Sequence, residues 1–274
     1  KYFGDRPVKV SHVIPDKEGG LYVEYGGFKY AAFDFIDGQH FVPNEVSFSA
    51  VASAIAALHA TFNSLDENSV AYIDKLSVLT GNYFNKYKHY SSEDFYAIRD
   101  AINRKAEKTE SDFAVLSKLP LFLGTVAEVK EYEDDVKKLG KQVIHSDLHP
   151  HNILMNGDQV DAIIDFDSMR LSQQARDVAF AIYRFGRQFF VDDNSNVKEE
   201  APRLVKLFID SYGVTKKLSE KEIGLLPILV KDEFLKKILF VLNGVYAESN
   251  FAWAKDLGKF LAAIDEINYF WPKK

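Results

Sequence analysis

The chain has 274 residues, 47% hydrophobic and 27% charged, which is enough to bury a sizeable core in one or two domains. Its 40 acidic and 34 basic residues leave a formal net charge of −6, so a nucleic-acid backbone is not an expected partner. Zero cysteines exclude disulfides, thiolate nucleophiles and Cys-ligated zinc or iron–sulfur centres, and suit a cytoplasmic protein.

In chain order, Val8–Ile14 alternates like a strand, and Pro15-Asp16-Lys17-Glu18-Gly19-Gly20 supplies turn chemistry. Leu21–Tyr25 and Phe28–Ile36 read as two further strands joined at Gly26-Gly27, giving a small antiparallel meander. Neither glycine pair opens a helix, so neither reads as a phosphate-cradling loop. Beyond Gly38 the period becomes helical. Val51, Ile55, Leu58 and Phe62 share a face, with Pro43-Asn44 as the start signal. The uncharged stretch Val46–Leu65 is interrupted by Ser47, Ser49, Ser53, His59, Thr61, Asn63 and Ser64. It is expected to be a buried helix and not a membrane span. Residues 66–138 read as helices with short breaks: Ser91-Ser92-Glu93-Asp94 begins one, and Leu119-Pro120 is expected to mark a boundary. The charge-mixed run Lys130–Lys141 reads as a solvated helix face.

Residues 142–166 return to β structure. Gln142–Ile144 is a short strand, and Ile153–Met155 with Val160–Phe166 forms a hairpin about Asn156-Gly157-Asp158. From Gln173 onward the chain is helical again. Ser219 and Glu222 make a capping box, after which Pro227 is expected to break the helix. Trp253, Phe260 and Trp271 are expected to be packing anchors.

The chemistry is concentrated in Ile144-His145-Ser146-Asp147-Leu148-His149-Pro150-His151-Asn152-Ile153, followed by Ile163-Ile164-Asp165-Phe166-Asp167. An aspartate on a loop just after a strand can accept a proton from an attacking hydroxyl. An asparagine five residues on can place its side-chain oxygen on a metal, and a second aspartate after the next hairpin can hold Mg²⁺ between phosphates.

This H-x-D-x-H-x-x-N segment with its I-D-F continuation resembles the aminoglycoside phosphotransferase and choline kinase superfamily of protein-kinase-like small-molecule phosphotransferases. The match is dense over residues 142–185. Elsewhere it is collinear: the strand ending at Asp37-Gly38 looks like the last N-lobe strand and hinge, and Ala56-Ala57-Leu58-His59 looks like the helix after it. The resemblance implies an α+β, protein-kinase-like fold. Residues 1–37 would be a partial antiparallel N-lobe sheet, and residues 38–274 a large, mostly helical C-lobe that carries the catalytic loop and acceptor pocket. It implies ATP and Mg²⁺ as cofactors and a small-molecule hydroxyl acceptor as partner. Asp147 would be the catalytic base, Asn152 and Asp165 the metal ligands, and Asp34, Phe35 and Ile36 the hinge that meets adenine. Asp177 resembles the aspartate that braces the catalytic loop, Asp167 would help to orient metal or acceptor, and His145 and His59 read as structural imidazoles. The glycine-rich loop and lysine strand of the superfamily have no counterpart in residues 1–37. Since the chain starts at Lys1 and not Met, those parts are expected to lie upstream of it.

Nine residues separate Asp167 from Asp177 and no A-P-E follows, which leaves no room for a peptide-binding activation segment. Two other readings stay open: a non-catalytic or protein-directed kinase relative, and a metal-dependent hydrolase built on His145, Asp147, His149 and His151. The sequence names neither the acceptor nor the oligomeric state.

Overall fold

A computed structural model of the chain describes residues 9–79, 86–252 and 254–272. The architecture is mixed, with short antiparallel strand pairs and a large helical body. Two hairpins are nested at the N-terminal end: β1 (Val13–Ile14) pairs with β4 (Ala32–Phe33), and between them β2 (Val23–Tyr25) pairs with β3 (Phe28–Tyr30). Gly26 and Gly27 sit at φ 59° and 81°, the pair of left-handed residues that a type I′ turn requires. The expected third strand, residues 28–36, is split at Ala31, and its two halves take different partners. Val8 lies outside the described residues.

The hairpin β6 (Ile153–Asn156) and β7 (Gln159–Ile163) turns at Gly157, φ 57°, as expected from Asn-Gly-Asp. The N-terminal segment clasps it from both edges. Lys9 bridges to Ala162 in parallel, and Gln39 exchanges two 2.8 Å backbone hydrogen bonds with Met155. A second pair, β5 (Gln142–Ile144) with β8 (Arg170–Ser172), brackets the motif-bearing loop; β8 has no strong signal in the sequence.

The helices are α1 (Glu45–Phe62), α2 (Glu67–Leu79), α3 (Ser92–Asn103), α4 (Glu110–Glu131), α5 (Glu133–Lys137), α6 (Gln174–Gly186), α7 (Val197–Gly213), α8 (Glu220–Tyr246) and α9 (Leu257–Phe270). Asn44 caps α1 by accepting the Ser47 amide at 2.9 Å, and its own amide reaches Asp158 in the β6–β7 turn. By length and composition α1 could cross a bilayer, but Phe48, Val51, Ala52, Ile55 and Phe62 bury its face in the core. At the centre lies α6, nearly all of it buried, packed between α1, α7 and α8.

Two expected helix breaks do not occur. Pro120 lies inside α4 and Pro227 inside α8. A proline in a helix interior costs about 3 kcal/mol. Here the buried stripes Val115, Leu119, Phe122, Val126 and Leu226, Leu229, Val230, Phe234 run across the prolines and bury more than that. The Ser219–Glu222 capping box forms as expected. Phe260 and Trp271 pack on the core, while Trp253 lies outside the described residues.

Gly38 fixes how closely the N-terminal segment approaches β6. A Cβ there would lie 2.8 Å from the Leu154 Cβ. Gly38→Ala is therefore expected to destabilise the protein by about 1–3 kcal/mol, the usual cost of overpacking. The measurement is the urea midpoint, and an unchanged midpoint would contradict the tight contact.

Candidate active site

The loop between β5 and β6 is fixed from beneath by one carboxylate. Asp177, on the first turn of α6 and 1% exposed, accepts the backbone amides of His145 and Ser146, each at 2.8 Å. Its Oδ2 also accepts His59 Nε2–H at 3.2 Å, and His59 Nδ1 meets the Tyr212 hydroxyl at 2.8 Å. Burial works to raise the Asp177 carboxyl, but His59 and then His145 with its amide outweigh it and hold the group below the usual carboxylate range. Ser146 is left-handed at φ 72°, a conformation that costs a non-glycine residue about 1–2 kcal/mol. The Asp177 bond to its amide holds that turn in place.

The strained turn presents Asp147. His145 stays neutral because burial pushes its imidazole down. Its Nε2–H donates to the Ile164 carbonyl at 3.0 Å, and its Nδ1 accepts the Asp147 amide at 3.3 Å. Asp147 Oδ1 lies 3.3 Å from Lys237 Nζ, and Oδ2 lies 3.3 Å from His149 Nε2. Burial would raise the Asp147 carboxyl, but the Lys237 ammonium and then His149 keep it well below the usual range, so it is ionised. His149 is oriented in turn by the His151 amide, which donates to its Nδ1 at 3.2 Å.

Asn152 is buried at the end of a 3₁₀ turn, Pro150–Asn152. Its side-chain amide donates to the Asp147 carbonyl at 2.8 Å, and its own carbonyl accepts the Ile164 amide at 3.0 Å. Asp147, Asn152 and the chain entering Asp165 thus form one hydrogen-bonded unit. Asp165 is left-handed, φ 64°, and exposed. Neither its carboxylate nor Asn152 Oδ1 has a hydrogen-bond partner among the described residues. Two uncommitted oxygen donors beside an ionised aspartate are the donor chemistry that suits Mg²⁺.

Asp167 is exposed in the 3₁₀ turn Phe166–Ser168. Asp34 is committed to His12, whose backbone amide and ring nitrogen both reach its carboxylate. Phe35 is 90% exposed, and Ile36 is partly buried on the way to the Gln39–Met155 bridge. His145, with both ring nitrogens engaged, is not available as a metal ligand, and among the described residues no three His, Asp or Glu side chains gather to hold one. The hydrolase reading loses its cluster.

Lys237, on α8, is the site residue that the sequence reading missed. Its ammonium also stands 4.2 Å from the centroid of the Phe180 ring. The signal lay in the apolar run Leu225–Leu242, where five charged residues, Lys231, Asp232, Glu233, Lys236 and Lys237, interrupt a helix too hydrophobic to hold them all in solvent.

Residues 4–223 match the profile described as the phosphotransferase enzyme family. A homoserine kinase from Bradyrhizobium sp. strain BTAi1 is 32% identical over 101 residues, 37% of this chain and 29% of that protein. Another, from Methylobacillus flagellatus, is 30% identical over 112 residues, 41% of this chain and 33% of that protein, so the matched stretch spans a third or less of these relatives. Among solved structures, a spectinomycin phosphotransferase in an AMP-bound complex superposes with a TM-score of 0.66 at 15% identity, covering 99% of this chain and 80% of that one. At such identity the likeness is one of fold.

The Asp177 brace sets a pH-dependent stability. A carboxyl depressed in the folded state stabilises fully above its unfolded pKa of about 3.9 and stops doing so as pH falls through the folded value. Asp177→Asn is expected to cost about 3–5 kcal/mol near pH 7, since it leaves buried donors poorly met. The difference from the parent should shrink as pH is lowered below about 4. Urea titrations at a series of pH values check this; a difference that stays constant down to pH 3 would deny the carboxylate its role.

Proposed function

The chain belongs to the phosphotransferase enzyme family, and we propose that it transfers the γ-phosphoryl group of ATP to a hydroxyl of a small molecule. The observation that carries this reading is the single hydrogen-bonded unit of Asp147, Asn152 and the entry to Asp165, locked onto Asp177. Phosphoryl transfer asks mainly for positioning and charge neutralisation, and such a unit supplies both.

In this reading the acceptor hydroxyl donates its proton to Asp147 as its oxygen attacks the γ-phosphorus and the bond to the leaving oxygen of ADP breaks. The structure's ion pair with Lys237 and the contact with His149 keep the base ionised and in one rotamer. Asn152 Oδ1 and the Asp165 carboxylate are the groups that would hold Mg²⁺, which when bound neutralises the nucleotide phosphates. Asp167 stands near enough in sequence to assist orientation. Among the described residues, the strands up to residue 37 form the strand side of the nucleotide site and the helices beyond it the helical side, and the backbone of Asp34, Phe35 and Ile36 meets adenine. The Gln39–Met155 bridge, which anchors that segment to β6, supports this placement.

A small acceptor is favoured over a protein. The nine residues between Asp167 and Asp177 are used up by the end of a 3₁₀ turn, β8 and the start of α6, so no peptide platform is formed there. The relatives named as homoserine kinases put hydroxy amino acids first among acceptors to try.

Three variants test the assignment in an ATP-consumption screen of the full chain with Mg²⁺. Asp147→Asn keeps the shape of the side chain but loses the base, and kcat should fall about 10²–10⁴-fold with little change in nucleotide affinity. Asp165→Asn should weaken nucleotide affinity and raise the Mg²⁺ requirement together. His151→Ala should be mild. Activity abolished by His151→Ala and retained by Asp165→Asn would sink the kinase reading.

A further inference from the structure

Two acids in the middle of α8, Asp232 and Glu233, are buried and have no part in the chemistry described above. Asp232 accepts from Arg176, from Lys236 and from the Tyr90 hydroxyl. Glu233 is 2% exposed, and its Oε2 lies 3.4 Å from Arg170 Nη2 and 3.9 Å from Arg176 Nη1. Lys237, whose ammonium is 3.3 Å from Asp147, stands four residues further along the same helix. At that spacing two side chains share one face, and acid before base is the favourable order. Burial pushes the Lys237 ammonium below its ordinary value, and Asp147 and then Glu233 work against it. Glu233 thus acts on Arg170 and on Lys237 together.

Those two cations reach the two arms of the site. On β8, Arg170 pairs directly across from Ile144 on β5, the residue that leads into His145. It also follows Asp165 by five residues, just past the 3₁₀ turn Phe166–Ser168. Lys237 holds Asp147 on the loop. Consecutive turns of α8, about 6 Å apart along its axis, therefore grip the arm that bears Asp165 and the arm that bears Asp147. Arg176, the second cation near Glu233, is the sequence neighbour of the Asp177 brace.

Stability does not account for burying such a pair. Desolvation consumes most of the attraction between two buried ions, and an apolar pair of similar volume commonly serves a fold as well or better. What a guanidinium–carboxylate pair adds is a preferred direction and a fixed separation. Resting on the kinase reading above, we propose that Glu233 is a positioning residue for phosphoryl transfer, which through Arg170 and Lys237 sets the separation between the arm that carries Asp165 and the base Asp147. Buried as it is, it acts without touching nucleotide or acceptor.

The test uses the full chain. Calorimetric titration with ADP, with and without Mg²⁺, reads the Asp165 arm without an acceptor; kcat is read with ATP and the compound that turns over fastest in the ATP-consumption screen. Glu233→Gln should cut the gain in ADP affinity that Mg²⁺ brings about 10- to 100-fold and lower kcat by a similar factor, the usual effect of losing a group that orients a metal ligand. ADP affinity without Mg²⁺ should not change. Glu233→Asp keeps the charge and should recover part of both losses. Because Glu233→Gln strands the Arg170 charge and is expected to lower Tm, a second variant separates positioning from folding. Arg170→Met combined with Glu233→Met removes both charges and should bring Tm back toward the parent value, while the Mg²⁺ response and kcat stay low. Lys231→Met is the control. It breaks the 2.9 Å pair with Glu128 on α4, on the same helix, and should lower Tm while leaving the Mg²⁺ response and kcat unchanged. A full Mg²⁺ response in Glu233→Gln, or in the double variant at parental Tm, would overturn the proposal and leave the kinase reading standing. An equal loss of Mg²⁺ response in Lys231→Met would overturn it too. A parent chain that neither binds ADP with Mg²⁺ nor turns over any acceptor would remove both readings.

Discussion

One buried carboxylate organises the site. Asp177 gathers two consecutive backbone amides and an imidazole, and through His59 and Tyr212 it ties the loop after β5 to α1, α6 and α7 at once. A carboxylate taken out of water costs several kcal/mol unless its lone pairs are met. Here the donors include two amides that a left-handed Ser146 aligns. The exchange runs both ways: the acid is tolerable because the loop is bent, and the loop stays bent because the acid is there. The remaining geometry, from His145 sealing Ile164 to Asn152 holding the Asp147 carbonyl, builds on that turn.

The loop's charge state follows from the elements around it. Asp147 is mostly withdrawn from solvent, with 28% of its side chain exposed, yet it remains ionised because α8 delivers a lysine that is only 11% exposed. A carboxylate held so low in pKa is a weak proton acceptor in the ground state. Under the proposed transfer it would gain from the acceptor oxygen becoming acidic as it bonds to phosphorus. Fixed charges in a low-dielectric pocket suit such chemistry because they need not reorganise.

Much of this was legible where the signal is local. The Asn-Gly-Asp turn, the Gly26-Gly27 hairpin and the Ser219–Glu222 box each depend on residues within one turn of one another, and each formed as read. The misreadings share a cause. Pro120 and Pro227 break helices by local preference, but the apolar stripes running past them belong to a core that only the assembled helices create. The third strand divides at Ala31 because its halves have partners on opposite sides of a nested hairpin. Lys237 was out of reach because its partner lies 90 residues upstream, and a helical period says which face is apolar, not which buried charge finds which acid.

The ionic residues of α8 have a mechanical meaning. Lys231 is paired to Glu128 on α4, Asp232 to Arg176 on α6, Glu233 to Arg170 on β8 and Lys237 to Asp147 on the loop. An apolar helix can slip against apolar neighbours at modest cost, since one leucine replaces another. This one is keyed. A shift of one residue turns every charge by about 100° and strips several buried ions of their partners together. The row works as a ratchet pawl along the long helix. It accepts one axial setting, and at that setting an ammonium lands on the aspartate of a loop that the helix precedes nowhere in the chain and meets only in space.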